Sequence, residues 1–218
     1  MTATLDLFAE AARSPAVHAI DEGAVLLSAY LQSLDREIFA AVQSVLELAP
    51  PRHMRTRSGG RLSVAMSNCG AVGWVSDHMG YRYDGVDPQS GLPWPAIPEV
   101  LAQLARDAAQ AAGYGRFAPD VCLINRYEPG NRLGLHQDMD EGEFKSPIVS
   151  VSLGLGALFL WGGAARAERP RRIPLAHGDV VVWGGPTRMN FHGVHSVVRG
   201  WHPLTGAYRY NLTFRRAR

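Results

Sequence analysis

The segment Leu133–Glu141, LGLHQDMDE, places a histidine two residues before an aspartate. If this segment is extended, side chains two residues apart share a face, so His136 and Asp138 point the same way. Two histidines and one carboxylate on one side of a metal, with the other side open, are typical of non-haem iron(II) oxygenases, whereas structural zinc usually takes four protein ligands. The spacing therefore indicates an iron site. The alternative is a solvated turn with a surface histidine, which the triplet alone does not exclude.

A third metal ligand would have to come from a distant strand, where the candidates are His177, His192, His195 and His202. Within FHGVHS, His192 and His195 are three residues apart and would fall on opposite faces of a strand, so only one of them can point inward. Periodicity leaves these two histidines equally possible.

The segment RYNLTFRR near the end of the chain predicts a strand with one polar face. That face would carry Arg209, Asn211, Thr213 and Arg215, and the opposite face Tyr210, Leu212 and Phe214. A guanidinium matches a carboxylate in a bidentate way, so the two arginines could bind both ends of a dicarboxylic acid. In DVCLINRY, Asn125 and Tyr127 share a face and could add neutral hydrogen bonds. The alternative is an edge strand whose polar face is simply wet.

The composition is that of an ordinary globular protein. The chain has 218 residues, enough for one domain with a substantial core, and its net charge of +2 does not by itself indicate a nucleic-acid binder. No signal peptide is expected in residues 1–14, and no apolar run reaches the roughly 18 residues of a membrane span. Cys69 and Cys122 lack metal-ligand spacing, so we expect a reduced, cytoplasmic protein. We also expect a monomer.

Two amphipathic helices are predicted in the first half of the chain, and both apolar stripes are expected to pack on a sheet. Pro50–Pro51 ends the first pattern, whose stripe consists of Ile38, Phe39, Val42, Val45 and Leu46. Pro98 can open the second helix and Gly113 can close it. Its stripe consists of Val100, Leu101, Leu104, Ala108 and Ala111.

From Asp120 onward, short β-rich runs follow one another without intervening helices, separated by turn residues such as EPGN and HGD. The runs are DVCLINRY, RLGLHQD, PIVSVSLG, ALFLWGG, RRIPLAHGDVVVWGG, FHGVHSVV and YRYNLTFRR. This pattern favours an antiparallel sandwich or barrel, with a jelly roll as the leading choice. The predicted fold class is therefore mainly β with flanking helices.

Eight blocks of sequence span nearly the whole chain: LDLFA, LSVAMSNCGAVGW, DPQSGLPWPAIP, DVCLINRYEPGNRLGLHQDMDE, PIVSVSLGLGALF, HGDVVVWGGPTR, FHGV and YRYNLTFR. Together, and in this order, they resemble the AlkB family of iron(II)- and 2-oxoglutarate-dependent dioxygenases. The third and fourth blocks are far more specific than an HxD triplet. The resemblance implies one domain, 1–218, with a double-stranded β-helix (jelly roll) core at about 118–218. About 1–95 would form an N-terminal extension and a nucleotide-recognition lid.

The resemblance also implies a role for each site residue. The iron ligands, and hence the catalytic residues, would be His136, Asp138 and His192, while His195 would not be a ligand. The 2-oxoglutarate pocket would consist of Asn125, Tyr127, Arg209, Asn211 and Arg215. The distal carboxylate would be held by Arg209, Asn125 and Tyr127. The carboxylate beside the keto group would be held by Arg215 and Asn211.

The implied reaction is oxidative demethylation of N-alkylated nucleobases, such as 1-methyladenine and 3-methylcytosine. It would couple decarboxylation of 2-oxoglutarate by O₂ to hydroxylation of the methyl group, releasing formaldehyde, succinate and CO₂. The substrate would be DNA, preferentially single-stranded, with double-stranded DNA and RNA also possible, because a base inside a duplex must first be flipped out. The alternatives are an oxygenase acting on methylated protein or a small molecule, and a jelly-roll module that binds a ligand without turnover.

These methylated bases are cationic, so a carboxylate can recognise them. Asp140 would share the face of Asp138 if the strand continues, and Glu141 would assist. The resemblance places four further side chains at the base, namely Met66, Trp74, Tyr81 and Arg166. Tyr83 and Tyr81 could add hydroxyl donors to phosphates. Two arginine clusters could bind phosphates or be merely solvated: Arg52, Arg55, Arg57 and Arg61, and Arg166, Arg169, Arg171 and Arg172.

Overall fold

The computed structural model describes residues 13–218, without the side chain of Gln32. Its helices are α1 (Asp35–Leu48) and α2 (Glu99–Ala111). Its strands are β1 (Ala16–Asp21), β2 (Ala24–Ser28), β3 (Ala65–Gly70), β4 (Gly73–Asp77), β5 (Gly80–Asp84), β6 (Val121–Tyr127), β7 (Leu133–His136), β8 (Ile148–Gly154), β9 (Ala157–Trp161), β10 (Arg171–Leu175), β11 (Val180–Trp183), β12 (His192–Val194) and β13 (Arg209–Arg215). Residues 1–12 lie outside the described residues. They include the LDLFA block and most of the segment 1–14, in which no signal peptide is expected.

Two antiparallel sheets form the sandwich, which confirms the predicted jelly-roll class. The larger sheet has seven strands in the order β1-β2-β11-β8-β13-β6-β3, and the smaller has four in the order β10-β9-β12-β7. β13 lies between β8 and β6, and all seven of its residues are buried. The alternative of a wet edge strand is therefore wrong. Its polar face points into the space between the sheets.

The two helices cover the outer face of the larger sheet, as expected from their apolar stripes. All five residues of the α1 stripe are buried, and they pack with the outward residues of β13, including Leu212 and Phe214. In α2 the buried face differs from the prediction: Ala105 and Ala109 are buried, whereas Ala111 is exposed. Ala105 and Ala109 follow Leu101 at intervals of four residues, so they extend its row along the helix towards the sheet.

The first half of the chain contains five strands that the sequence pattern did not predict. β1, β2 and β3 belong to the larger sheet, although they come from the region assigned to the N-terminal extension, so this region is structurally part of the sandwich. β4 and β5 form a separate two-stranded hairpin, which carries the aromatic residues Trp74, Tyr81 and Tyr83. Among the described helices, none has the length and apolar character needed to cross a membrane.

Candidate active site

Three side chains converge where two neighbouring strands of the smaller sheet meet at their ends. His136 is the last residue of β7, His192 is the first of β12, and the two residues are register partners. Asp138 follows two residues after β7, and its carboxylate oxygens lie 3.8 Å from His136 Nε2 and 3.6 Å from His192 Nε2. One potential ligand atom from each of the three residues lies within 4.8 Å of the others. Strand pairing thus brings distant parts of the sequence into the spacing of a metal site.

Both imidazoles are oriented by the backbone on the side away from Asp138. The Nδ1 atom of His136 lies 2.9 Å from the carbonyl oxygen of Gly134, and that of His192 lies 3.1 Å from the carbonyl oxygen of Asn190. A hydrogen on Nδ1 that is donated to a carbonyl leaves the Nε2 lone pair free for a metal. His192, which the resemblance favoured as the third ligand, thus faces His136 and Asp138, whereas His195 is exposed to solvent.

The electrostatic environment favours the protonation states that metal binding requires. Burial, reinforced by the nearby His192, lowers the pKa of His136 from 6.5 to about 4, so its imidazole is neutral at physiological pH. Burial alone would raise the pKa of Asp138, but the charge of Arg215 and contacts with His192 hold it well below its usual range. A neutral imidazole and an ionised carboxylate are the forms that bind metals.

The inner face of β13 and the adjacent β6 form one wall of a cavity of about 450 Å³ that also contains the three candidate ligands. Arg209 is buried, and its guanidinium donates hydrogen bonds to Ser152 Oγ (2.8 Å) and the Leu155 carbonyl (3.1 Å). Its Nε atom and Asn125 Oδ1 are buried without a partner among the described residues. Unpaired buried polar atoms are costly, so a polar ligand fits here. The Asn125 amide, if reversed, would offer a donor.

Two other residues of this wall contribute in different ways. Burial raises the pKa of Tyr127 to about 12, so its hydroxyl remains a neutral donor. The amide of Asn211 is already saturated within the protein: it donates to Ser150 Oγ and the Val151 carbonyl, and it accepts from Thr213 and, at 3.5 Å, from Asn125 Nδ2. A ligand that contacts Asn211 directly must therefore replace one of these bonds.

Arg215 binds Asp138, one of the three candidate metal ligands. Its Nε and Nη2 atoms donate to Asp138 Oδ2 at 2.9 and 2.7 Å, and its Nε lies 3.3 Å from Glu141 Oε1. Burial by itself would lower the pKa of Arg215, but these carboxylates raise it above its usual range. The guanidinium is therefore a permanent cation, and its two hydrogen bonds to Oδ2 orient the Asp138 carboxylate.

Aromatic and charged side chains surround the mouth of the cavity. The rings of Trp74 and Tyr81 stack with centroids 5.4 Å apart and planes 20° from parallel, and Tyr81 is 54% exposed. Trp74 Nε1 donates a hydrogen bond to Asp140 Oδ2 at 2.8 Å. Met66 also lines the cavity, and so does Arg166, whose guanidinium carbon lies 6.0 Å from the centre of the Phe191 ring. Because Trp74 and Tyr81 are in contact, a base can stack on this pair but not between its rings.

Several expectations about the mouth are wrong. β7 ends at His136, so neither Asp138 nor Asp140 lies on a strand, and Asp140 reaches the cavity from a loop. Glu141 is only 5% exposed and does not line the cavity. Its Oε1 accepts a hydrogen bond of 2.8 Å from Tyr83, and its Oε2 lies 3.5 Å from Arg188 Nη2. Glu141 and Tyr83 thus bind each other, and neither lines the cavity.

The arginine clusters are only partly free to meet phosphates. Arg52 donates to Asp87 at 2.9 Å, and Arg171 donates to the Ile20 carbonyl at 2.8 Å. Exposed arginines remain in each cluster: Arg55, Arg57, Arg61, Arg166, Arg169 and Arg172. Sequence reasoning also missed Arg188, which is buried and donates to the Asp138 carbonyl at 3.0 Å. Arg188 follows a turn and lies in no strand or α-helix, so no periodic pattern in the sequence indicated that it belongs to the site.

Comparison with known proteins agrees with this arrangement. Residues 23–215 match the family model described as the 2OG-Fe(II) oxygenase superfamily. The chain is 49% identical over 213 residues to "Alpha-ketoglutarate-dependent dioxygenase AlkB" of Salmonella typhimurium, covering 98% of each chain. It is 43% identical over 112 residues to "DNA N(6)-methyladenine demethylase ALKBH1D" of Arabidopsis thaliana, covering 45% of this chain and 25% of that protein. The solved structure of OsALKBH1 matches with a TM-score of 0.82 at 31% identity, covering 92% of this chain and 100% of that one.

Proposed function

The chain belongs to the AlkB family of the 2OG-Fe(II) oxygenase superfamily and is a 2-oxoglutarate-dependent dioxygenase, and on this premise we propose that it demethylates N-alkylated bases of nucleic acids. The preferred substrates are 1-methyladenine and 3-methylcytosine in single-stranded DNA, with duplex DNA and RNA as further substrates. One observation carries the proposal. The Trp74–Tyr81 stack and the Asp140 carboxylate lie at the mouth of the cavity that contains His136, Asp138 and His192.

The proposed iron ligands are His136, Asp138 and His192. Iron(II), 2-oxoglutarate and O₂ together supply the oxidation of the N-methyl group, which leaves as formaldehyde while succinate and CO₂ are formed. Two histidines and one carboxylate would hold the iron from one side and leave its other side open for a cosubstrate. Arg215 binds Asp138 Oδ2, the oxygen nearer His192, and Asp138 Oδ1 lies nearer His136, so the guanidinium fixes the carboxylate between the two imidazoles.

We assign the distal carboxylate of 2-oxoglutarate to Arg209, with Asn125 and Tyr127 beside it. The unpaired Arg209 Nε, the unpaired Asn125 Oδ1 and the neutral Tyr127 hydroxyl support this assignment. Arg215 is proposed to share its charge between Asp138 and the carboxylate beside the keto group. Asn211 orients this wall through Ser150 and Thr213 and contacts the cosubstrate only if one of its present bonds is exchanged.

The base is proposed to stack on Trp74 with its methyl group directed towards the iron ligands. A cationic base gains from the Asp140 carboxylate, which the indole N–H of Trp74 holds in place. Met66 and Arg166 line the same cavity, and we assign them an apolar contact and a cationic contact to the substrate. We also propose that the protein acts as a monomer.

Mass spectrometry of a defined set of methylated oligonucleotides tests this proposal. The enzyme, iron(II) and 2-oxoglutarate are incubated with single- and double-stranded DNA and with RNA, and formaldehyde is measured in parallel. We expect loss of the methyl mass together with formaldehyde, fastest for single-stranded DNA. Methyl-lysine peptides serve as the competing substrate class. Turnover of the peptides without turnover of the oligonucleotides would show that the enzyme acts on protein.

A further inference from the structure

Asn68 is a fully buried amide on β3 that no step of the proposed reaction uses. Its Nδ2 donates a hydrogen bond of 2.9 Å to the carbonyl oxygen of Trp74, and its Oδ1 accepts one of 3.0 Å from the backbone N–H of Trp74. One side chain therefore binds both backbone polar groups of the aromatic residue at the cavity mouth. Asn68 thereby connects the larger sheet directly to the β4–β5 hairpin.

The hairpin needs such a partner because, within residues 13–218, β5 is the only strand that pairs with β4. Trp74 and Tyr83 are register partners in the hairpin, whose sheet contains only β4 and β5. The N–H and C=O of a residue in an antiparallel strand point to the same side, and alternate residues turn them away from the partner strand. Both groups of Trp74 bind Asn68 on β3, which replaces the strand that β4 lacks on this side.

Close packing around Gly73, the residue before Trp74, restricts where Asn68 and Trp74 can meet. A Cβ atom on Gly73 would lie 2.4 Å from the Trp94 ring and 2.8 Å from Asn68 Cβ, so only glycine allows β4 to approach β3 this closely. Trp74 then extends towards the mouth, where its indole N–H binds Asp140. A continuous path thus leads from the core sheet through Trp74 to the carboxylate.

We propose that Asn68 is a positioning residue, which sets the position of the Trp74 ring and, through its indole N–H, the orientation of Asp140. The proposal deepens the proposed function and rests on it for its consequence: Asn68 determines how well a cationic methylated base is held, without touching the base. Asn68 is not among the residues that line the cavity, which sets it apart from the stacking pair.

The informative substitution is Asn68→Asp, which keeps the shape of the side chain. In its ionised form the carboxylate still accepts from the Trp74 N–H, but it cannot donate to the Trp74 carbonyl and instead repels it, so the variant is assayed at about pH 8 or above. Ser67→Ala is the matched control, because Ser67 is the neighbouring residue on β3, is equally buried and loses one hydrogen bond, to the Ala49 carbonyl. That bond lies on the opposite face of the strand.

With the holoenzyme and a 1-methyladenine oligonucleotide, we expect Asn68→Asp to raise KM for the oligonucleotide about tenfold and to change kcat far less. KM for 2-oxoglutarate should stay unchanged, because the side chain of Asn68 binds the backbone of Trp74 and none of the residues assigned to the cosubstrate. Ser67→Ala should change none of these values. In a Trp74→Ala background, Asn68→Asp should add no further increase, since it acts only through Trp74.

A readout independent of turnover separates this inference from the proposed function. The indole N–H signal of Trp74 in a ¹⁵N NMR spectrum, assigned with Trp74→Phe, should shift in Asn68→Asp and stay in place in Ser67→Ala. Asn68→Ser provides a second, smaller perturbation should the aspartate variant fail to fold, and a shift is expected there as well. An unshifted indole signal, or equal rises in KM for both substrates, would overturn the positioning role, whether or not the wild type demethylates DNA.

Discussion

The role of Glu141 can be tested by substitution. The sequence indicated a contact with the base, whereas the structure buries this side chain. Its side chain is 1% exposed and lies between two arginines that are almost equally buried, Arg188 at 3% and Arg215 at 5%. Together with Asp138, these groups form a buried network of two cations and two anions. Tyr83 adds a hydroxyl donor from the hairpin. Glu141→Gln keeps the shape of the side chain and removes one of the two negative charges.

The expected destabilisation follows from the charge left behind. Removing one partner of a buried ion pair typically costs about 3–5 kcal/mol, because the remaining charge is buried without compensation. For a chain of this size, each kcal/mol corresponds to about 2–4 °C in Tm, so Glu141→Gln should lower Tm by roughly 6–20 °C. If Glu141 were instead an exposed contact to the base, the substitution would change stability by no more than about 0.5 kcal/mol.

Thermal and urea unfolding of the protein in the presence of a chelator measures this difference. Asp140→Asn is the matched control, since Asp140 is the neighbouring carboxylate, is exposed at the mouth and can still accept from Trp74 as an amide. We expect Asp140→Asn to unfold like the wild type while binding cationic lesions more weakly. Equal stability of the two variants, with base binding lost in Glu141→Gln, would refute the buried network as the role of Glu141.

Three further outcomes are expected. Asp138→Ala should lose iron binding and all 2-oxoglutarate turnover, measured by metal content and succinate release, and retained activity at physiological iron would exclude Asp138 as a ligand. Arg209→Met should raise KM for 2-oxoglutarate about 10- to 150-fold, since a charged hydrogen bond contributes about 1.5–3 kcal/mol, and an unchanged KM would contradict its assignment. The unfolded chain protonates His136 near pH 6.5 but the folded chain only near pH 4, so the metal-free protein should lose stability as the pH falls between these values. His136→Gln should flatten that slope in urea unfolding at several pH values, and an unaltered slope would assign it to another group.

Local periodicity made part of the site predictable. The alternation of polar and apolar residues in β13 correctly separated the face of Arg209 and Arg215 from the face that packs on the helices. The spacing of His136 and Asp138 likewise indicated that they lie close together. Such patterns depend on one segment alone, because a strand repeats every two residues whatever lies beside it.

Long-range pairing decided the rest. The sequence period could not choose between His192 and His195, since that choice depends on the register of β12 against β7, where His192 pairs with His136. No sequence pattern indicated that β7 ends at His136. Beyond it the chain turns, so Asp140 reaches the cavity mouth while Glu141 enters the core, and no alternation rule describes that turn.

The amino-acid sequence by itself determined the β-rich class, the two covering helices and the polar inner face of β13, because each is a repeating pattern within one segment. Only the tertiary structure decided which carboxylate binds Arg215, which buried amide binds Trp74 and which histidine lies beside Asp138. These contacts join residues separated by up to 77 positions in the chain. Their geometry depends on how whole strands and loops pack together, which no single segment encodes.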